Sequence, residues 1–300
     1  MKKLLSALLL LFAITGAQAQ LLWKISGKGL AKPSYVVGTY HLAPVSFADS
    51  IPGLEAALDN AEQVYGELDM RQLSDAAQLT KLQTAMMLPE GKTLSSLLTK
   101  EQKERLNAAM LELLGANMSN PMLAQQMEKV SPAALMQQLV LVMYMKKHPG
   151  FDPRKLFDGY FQSVAAERGK PIGGLETVDF QVEVLFGGTT LERQVEQLMC
   201  FIDDKEYNER NMNLILEGFF GQDLQKIEKA LNEKRNNSCD LTPEEYDRLI
   251  YARNADWAKR LPDIIQEKPT FLAVGVGHLP GERGLLELLR KAGFDVTPVK

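Results

Sequence analysis

The chain has 300 residues, of which 45% are hydrophobic, and it carries a formal net charge of −4. A chain of this length can bury a large core as one large domain or as two interleaved lobes. Its net negative charge argues against nucleic acid or an anionic membrane as the main partner.

The first nineteen residues have the three parts of a cleaved signal peptide. Two lysines open it, residues 4–14 are apolar but too few to cross a bilayer, and Ala17-Gln18-Ala19 matches a small-residue cleavage site. We therefore predict a signal peptide over residues 1–19, cleaved before Gln20, and a periplasmic or secreted protein. An uncleaved anchor is the alternative.

Cleavage removes two of the 34 basic residues and no acidic residue, which leaves 32 basic against 38 acidic residues and a net charge of −6. No later segment is long and apolar enough to cross a membrane. We expect no stable membrane insertion after the signal peptide is removed.

Near the N-terminus, residues 21–25 and 35–38 are short apolar runs on either side of a turn-rich Ser-Gly-Lys-Gly sequence, which predicts a hairpin. A helix capped by Ser50 follows, and residues 64–68 return as a strand. This end of the chain predicts a β-loop-α-β unit.

The last thirty residues repeat that plan, with strands over residues 271–275 and 294–299 and a helix over residues 284–291. Because crossover connections are right-handed, we expect the strands that each unit joins to be parallel neighbours.

Residues 71–265 are predicted to be mostly helical, interrupted by a short strand over residues 171–176. The sequence thus predicts an α/β (α+β) fold in a single domain over residues 20–300. Its central sheet is mixed and partly parallel, and is built from residues 21–70, 171–176 and 270–300.

The chain has two cysteines, Cys200 and Cys239. In an oxidising compartment two cysteines allow one intramolecular pairing, so we predict a disulfide bond between them. Two free thiols are the alternative, which the predicted export disfavours.

Two of the three histidines end the same pattern, Gly38-Thr39-Tyr40-His41 after one strand and Gly275-Val276-Gly277-His278 after another. In parallel sheets, ligands and catalytic groups gather beyond the carboxyl ends of the strands. We therefore predict that His41 and His278 face a shared site. The third histidine, His148, lies in a Lys-His-Pro-Gly turn and is predicted to be exposed.

Carboxylates end two other predicted strands, Glu67 and Glu176. Imidazole with carboxylate suits Zn, Mn, Co or Fe, and an open coordination position would let bound water act as a nucleophile in hydrolysis. Each of these residues could instead have a purely structural role. A histidine at a strand end is commonly a hydrogen-bonded structural residue, Glu67 could form an ion pair, and Glu176 could cap the next helix.

The chain resembles the TraB/PrgY/GumN family, whose relatives include the Tiki metalloproteases and, more distantly, the erythromycin esterase and ChaN-like superfamily. The resemblance covers residues 23–299, is strongest at the ends and is loose in the helical middle. The matching stretches are Val37-Gly38-Thr39-Tyr40-His41-Leu42, Tyr65-Gly66-Glu67-Leu68-Asp69, Gly174-Leu175-Glu176-Thr177, Arg253-Asn254-Ala255-Asp256-Trp257 and Val274-Gly275-Val276-Gly277-His278-Leu279-Pro280-Gly281.

This resemblance implies a divalent-metal hydrolase site, with His41 and His278 as ligands and Glu67 as ligand or general base. It further implies that Arg253 stabilises developing negative charge and that Glu176 supports the ligands. The dipeptide Arg210-Asn211 is similar to Arg253-Asn254, so the choice between the two arginines stays open here.

Three functions follow from these residues. The first is an exported hydrolase that uses Mn, Co or Zn and cleaves a peptide or small-molecule substrate. The second is a binding protein that sequesters a peptide signal, haem or a metal without turnover, and the third is an interaction module with a vestigial site. The sequence does not indicate the substrate, the metal or the oligomeric state.

Overall fold

A computed structural model describes residues 20–152 and 154–300 of the chain. The predicted signal peptide, residues 1–19, lies outside the described residues. A six-stranded sheet forms the centre of the fold, with the strands in the order β4-β3-β5-β2-β1-β6. The strands are β1 (Leu22–Ser26), β2 (Ser34–Thr39), β3 (Gln63–Leu68), β4 (Ile172–Glu176), β5 (Thr270–Gly275) and β6 (Asp295–Pro298).

The sheet is mixed and mostly parallel, as the sequence predicts. Strands β1 and β2 form the predicted antiparallel hairpin, and β6 pairs with β1 in the antiparallel sense. The pairs β2–β5, β5–β3 and β3–β4 are all parallel. The expectation that each terminal unit joins neighbouring strands is wrong, because β5 lies between β2 and β3, and β2 and β1 lie between β5 and β6. The two ends of the chain are therefore interleaved in one sheet.

Fourteen α-helices surround the sheet in the part of the chain that the structure describes. They are α1 (Leu54–Asn60), α2 (Ala76–Ala85), α3 (Leu94–Leu97), α4 (Lys100–Leu114), α5 (Pro121–Met127), α6 (Pro132–Lys147), α7 (Phe157–Glu167), α8 (Val178–Val182), α9 (Leu191–Asp203), α10 (Lys205–Phe220), α11 (Leu224–Asn232), α12 (Pro243–Tyr246), α13 (Ala252–Glu267) and α14 (Leu285–Lys291). The predicted helix cap at Ser50 is wrong, because Ser50 ends a 3₁₀ segment and α1 begins at Leu54, after Gly53.

The sheet carries the main hydrophobic core. Phe271 and Val274 of β5 are fully buried, and Phe161 of α7 and Trp257 of α13 pack in the same cluster. Each side chain of this size contributes about 1.5–3 kcal/mol when it leaves water, so α7 and α13 are held firmly against the sheet. The helices of the middle region, including α4, α6 and α9, pack on one another around a second core.

A disulfide bond joins Cys200 of α9 to Cys239 in the segment before α12, the pair that the sequence singled out. No helix among the described residues is long and apolar enough to span a bilayer.

Candidate functional site

Four neighbouring parallel strands end at the same edge of the sheet. Thr39 of β2 is in register with Gly275 of β5, Gly66 of β3 with Ala273 of β5, and Leu68 of β3 with Glu176 of β4. The carboxyl ends of these strands therefore carry the two Gly-x-x-His loops and both predicted carboxylates along one line. The interleaving of the strands, which the sequence does not predict, brings the first and last units of the chain together.

The first glycine of each motif makes room for a partner at this edge. A Cβ atom on Gly275 would lie 3.0 Å from Oε1 of Glu67, and one on Gly38 would lie 2.8 Å from the Val276 side chain of the other motif. The Gly275 N–H also donates to Oε1 of Glu67 over 2.7 Å. A side chain at either position would therefore displace a neighbouring side chain.

Arg253 joins the two carboxylates. Its Nε donates to Glu176 Oε1 over 2.7 Å, and its Nη2 donates to Glu176 Oε2 over 2.8 Å and to Glu67 Oε2 over 2.6 Å. Its Nη1 donates to the Leu249 carbonyl and contacts Nε2 of His278. All five N–H groups of this buried guanidinium are therefore used on protein acceptors, so Arg253 is an integral part of the site.

These contacts set the charge of Glu67. Burial acts to raise the pKa of Glu67, but the charges of Arg253 and His41 and the hydrogen bond from the Gly275 N–H oppose it, and the pKa lies below its usual value. Carboxylates that are ionised and charge-paired in this way are costly to bury without their partners. Gln181 of α8 donates to both Glu67 and Glu176 and completes their hydrogen bonding.

Helix α13 carries Arg253 and, one turn later, Trp257 on the face that packs against the site. A π-helical segment, Asp247–Tyr251, precedes α13, and such segments occur frequently at functional sites. One turn after Arg253, Trp257 is fully buried and its Nε1 donates to Glu176 Oε1 over 3.0 Å. Glu176 thus accepts hydrogen bonds from both residues and fixes α13 against the end of β4.

His278 is buried and has one defined tautomer. Its Nδ1 lies 2.7 Å from Asn254 Oδ1, and its Nε2 lies 3.1 Å from Arg253 Nη1, which can only donate. Nδ1 therefore carries the proton and Nε2 accepts. Burial lowers the pKa of His278 to about 4, and the charge of Arg253 acts in the same direction. The imidazole is neutral at physiological pH.

His41 lies at the mouth of the site, with 71% of its side chain exposed. Its Nδ1 is 2.6 Å from Oδ2 of Asp158, in the first turn of α7, and the other carboxylate oxygen of Asp158 accepts a hydrogen bond from Thr39. Asp158 raises the pKa of His41 to about 9, and water screens part of this attraction because the ring is exposed.

The structure places the two candidate arginines in different surroundings. Arg253 lies in the site, whereas Arg210 lies on α10, is 56% exposed and pairs with Glu233. The prediction for His148 is wrong in part, because its ring stacks on Tyr144 at 4.2 Å and is half-buried. His148 takes no part in the site.

The sequence reasoning missed three polar residues of the site, Asp158, Asn254 and Gln181. Asn254 lies within a stretch that carries the family resemblance, next to Arg253. This position is the signal in the sequence that could have identified it as a site residue. Asp158 and Gln181 lie in helices whose contact with the strand ends depends on tertiary packing.

The donor types suit a metal ion, but their arrangement in this structure does not fit one. Oε1 of Glu67 and Nε2 of His278 are 3.8 Å apart, a separation that two ligands of one metal ion can have, but no group of three or more His, Cys, Asp or Glu side chains in the described ranges is placed to hold a metal. Arg253 is the physical reason, since its N–H groups engage the Nε2 lone pair of His278 and one oxygen of Glu67. A cation bound there would compete with this guanidinium.

The fold and site define a class: α/β proteins whose mostly parallel sheet presents two Gly-x-x-His loops, two glutamates and an arginine at its carboxyl edge. The chain belongs to the TraB/PrgY/gumN family, whose sequence profile matches residues 21–298.

Curated relatives are similar over most of this chain. It is 26% identical over 317 residues to "Metalloprotease TIKI2" of Danio rerio. The aligned region covers 92% of this chain and 60% of the relative. It is 27% identical over 306 residues to "Metalloprotease TIKI1" of Xenopus tropicalis and 26% identical over 306 residues to that of Homo sapiens, covering 88% of this chain and 59% of each relative. The chain thus spans about 60% of the length of these relatives. No solved structure matches it at a significant level.

Proposed function

We propose that this chain is a periplasmic or secreted hydrolase that cleaves peptide bonds at the site formed by His41, Glu67, Glu176, Arg253 and His278. One observation carries the proposal: the interleaved strands bring the two Gly-x-x-His imidazoles and Glu67 to one sheet edge, beside a buried arginine. The distant relationship to proteins named metalloproteases supports the same class of reaction.

In this proposal the position of each side chain determines its role. His41 is the exposed member of the site, so substrate and water meet it first. Glu67 supplies the ionised carboxylate beneath it. Glu176 and Trp257 hold Arg253 in place, and Asn254 holds His278 in its tautomer.

We also propose that the hydrolase requires a divalent metal ion, Mn, Co or Zn, because two imidazoles and a carboxylate suit these ions and because the named relatives are metalloproteases. His41, Glu67 and His278 are the side chains with the chemistry to hold it. In the structure Arg253 engages His278 and Glu67, so under this proposal the ion binds only when the guanidinium moves away from these two residues.

The test is a peptide-cleavage assay on the purified protein with metal analysis of the same samples. We expect His41→Ala, His278→Ala and Glu67→Gln each to lower cleavage by about 100-fold or more and to lose stoichiometric metal. His148→Ala is the matched control, since His148 lies off the site. A chelator is expected to abolish cleavage, and Mn, Co or Zn to restore it.

Cleavage that persists in all three site variants would refute the shared site. Cleavage that depends on the three residues but survives the chelator would refute the metal requirement and leave the shared site in place. Peptide binding without cleavage in the wild type, lost in the site variants, would instead support a binding protein built on the same residues.

A further inference from the structure

The sheet has two edge strands, β6 and β4, and β6 is poorly suited to pair with a further strand. Because the Val299 N–H donates to the Leu22 carbonyl and hydrogen-bonded pairs recur at every second residue, Val296 and Pro298 direct their backbone groups outward. The Val296 carbonyl accepts a hydrogen bond from Arg290 over 3.0 Å, and proline has no N–H to donate. This edge is therefore largely closed.

At the other edge, Ile172 and Gly174 are the outward residues of β4. The Val64 N–H of β3 donates to the Pro171 carbonyl, and in this parallel pair every second residue of β4 bonds to β3. Ile172 and Gly174 thus turn their N–H and C=O groups away from β3. The Nη2 group of Arg71 donates to the Ile172 carbonyl over 3.0 Å, which agrees with this direction.

Three outward backbone groups of β4 are open. The N–H of Ile172 and both the N–H and the C=O of Gly174 have no hydrogen-bond partner among residues 20–152 and 154–300. Ile172, Gly173 and Gly174 are each partly exposed, and the two glycines have no side chain that would cover the edge. A row of unpaired donors and acceptors on an edge strand is the feature that takes up another extended chain.

This open edge leads directly to the candidate site. Strand β4 ends at Glu176, whose carboxylate accepts hydrogen bonds from Arg253. Glu67 lies on β3, the neighbouring strand, and adjacent strands are about 4.8 Å apart. A chain that pairs with β4 and runs in its direction therefore leaves the edge beside Glu176 and one strand away from Glu67.

We propose that the outer edge of β4 binds an extended peptide segment by strand addition. In an antiparallel pair, one residue of the peptide donates to the Gly174 carbonyl and accepts from the Gly174 N–H, and a further peptide carbonyl accepts from Ile172. These bonds involve the main chain, so they select an extended backbone with free N–H groups. The proposal does not rest on hydrolysis, since the same edge serves a substrate or a peptide that is retained uncleaved.

The test is amide hydrogen exchange, resolved by residue with NMR, with and without an acetylated pentapeptide amide of alternating threonine and valine. In the free protein we expect Gly173 and Leu175, which face β3, to exchange slowly, and Ile172 and Gly174 to exchange fast. Excess peptide should slow the exchange of Ile172 and Gly174 about tenfold or more and leave the other two unchanged. His41→Ala should show the same pattern, so this result is independent of cleavage.

A second measurement uses peptides that carry a methyl group on one main-chain nitrogen. A methyl group on a nitrogen that faces β4 removes a donor and clashes with the strand, so losses in affinity of about fivefold or more should alternate along the peptide. Ile172→Pro removes one outward N–H at an edge position that tolerates proline and should weaken binding about fivefold. The control Ile172→Val keeps this N–H and should bind normally.

Several results would overturn the proposal. They are slow exchange of Ile172 and Gly174 in the free protein, exchange that the peptide leaves unchanged, and methylation losses without the two-residue alternation. Protection that appears without peptide and grows with protein concentration would overturn it as well, because that result assigns the edge to a second copy of the chain.

Discussion

Nε2 of His278 lies 3.1 Å from Nη1 of Arg253, a group that can only donate. This contact fixes the imidazole as a neutral acceptor at Nε2 and a donor at Nδ1, where Asn254 receives it. A side chain that the sequence marks as a metal ligand thus has its lone pair directed at an internal cation. Arg253 and any divalent ion compete for the same atoms.

Arg253 should be important for folding as well as for activity. We expect Arg253→Lys to lower the free energy of unfolding by about 3–5 kcal/mol, because a lysine cannot bridge Glu67, Glu176 and His278 and leaves buried carboxylates without partners. Urea denaturation measures this change. The control Arg210→Lys, at an exposed ion pair, should cost about 1 kcal/mol or less; equal costs would contradict the bridging role.

Gly275→Ala should impair the site with little effect on stability elsewhere. The new Cβ would lie 3.0 Å from Oε1 of Glu67, so the carboxylate must shift by a few tenths of an ångström. Since a displacement of about 1 Å can cost about 100-fold in rate, we expect a loss of about 10-fold or less. Steady-state peptide cleavage measures the loss. Gly150→Ala is the matched control, since nothing lies within 4 Å of its Cβ position, and it should retain activity.

Asp158→Asn tests whether the carboxylate positions His41. Asn keeps the shape of Asp158 but lacks the charge that holds Nδ1, and loss of such a partner typically costs about 10–100-fold in metal affinity or activity. Metal titration and cleavage kinetics measure it together. Asp152→Asn, at an exposed pair with Arg154 just before α7, is the control; a loss as large in this variant would remove the special role of Asp158.

The disulfide bond should stabilise the fold by restricting the unfolded chain. Cys200 and Cys239 are 39 residues apart, and closing a loop of that length contributes about 4 kcal/mol. Denaturation of a Cys200→Ala/Cys239→Ala double variant measures the loss. A reductant should destabilise the wild type and leave the double variant unchanged; an effect on both would show that reduction acts elsewhere.

Local patterns in the sequence predicted most of the strands and, together with the family resemblance, five residues of the candidate site, but not Asp158, Asn254 or Gln181. The alternation of apolar runs and turn residues predicted the hairpin and the strands at both ends, because strand and turn preferences act over a few neighbouring residues. The repeated Gly-x-x-His motif and the family resemblance singled out His41, Glu67, Glu176, Arg253 and His278. Apart from His41, which is exposed at the edge of the site, these residues contact one another in the structure.

Strand order and the state of each side chain were decided only by tertiary structure. The placement of β5 between β2 and β3 depends on contacts between residues more than 200 positions apart, which leave no periodic trace in the sequence. Asp158 reaches His41, and Arg253 takes up the lone pair of His278, only because α7 and α13 pack against the same sheet edge. The sequence by itself determined which chemical groups are present, and the packing of distant segments determined which of them bond to one another.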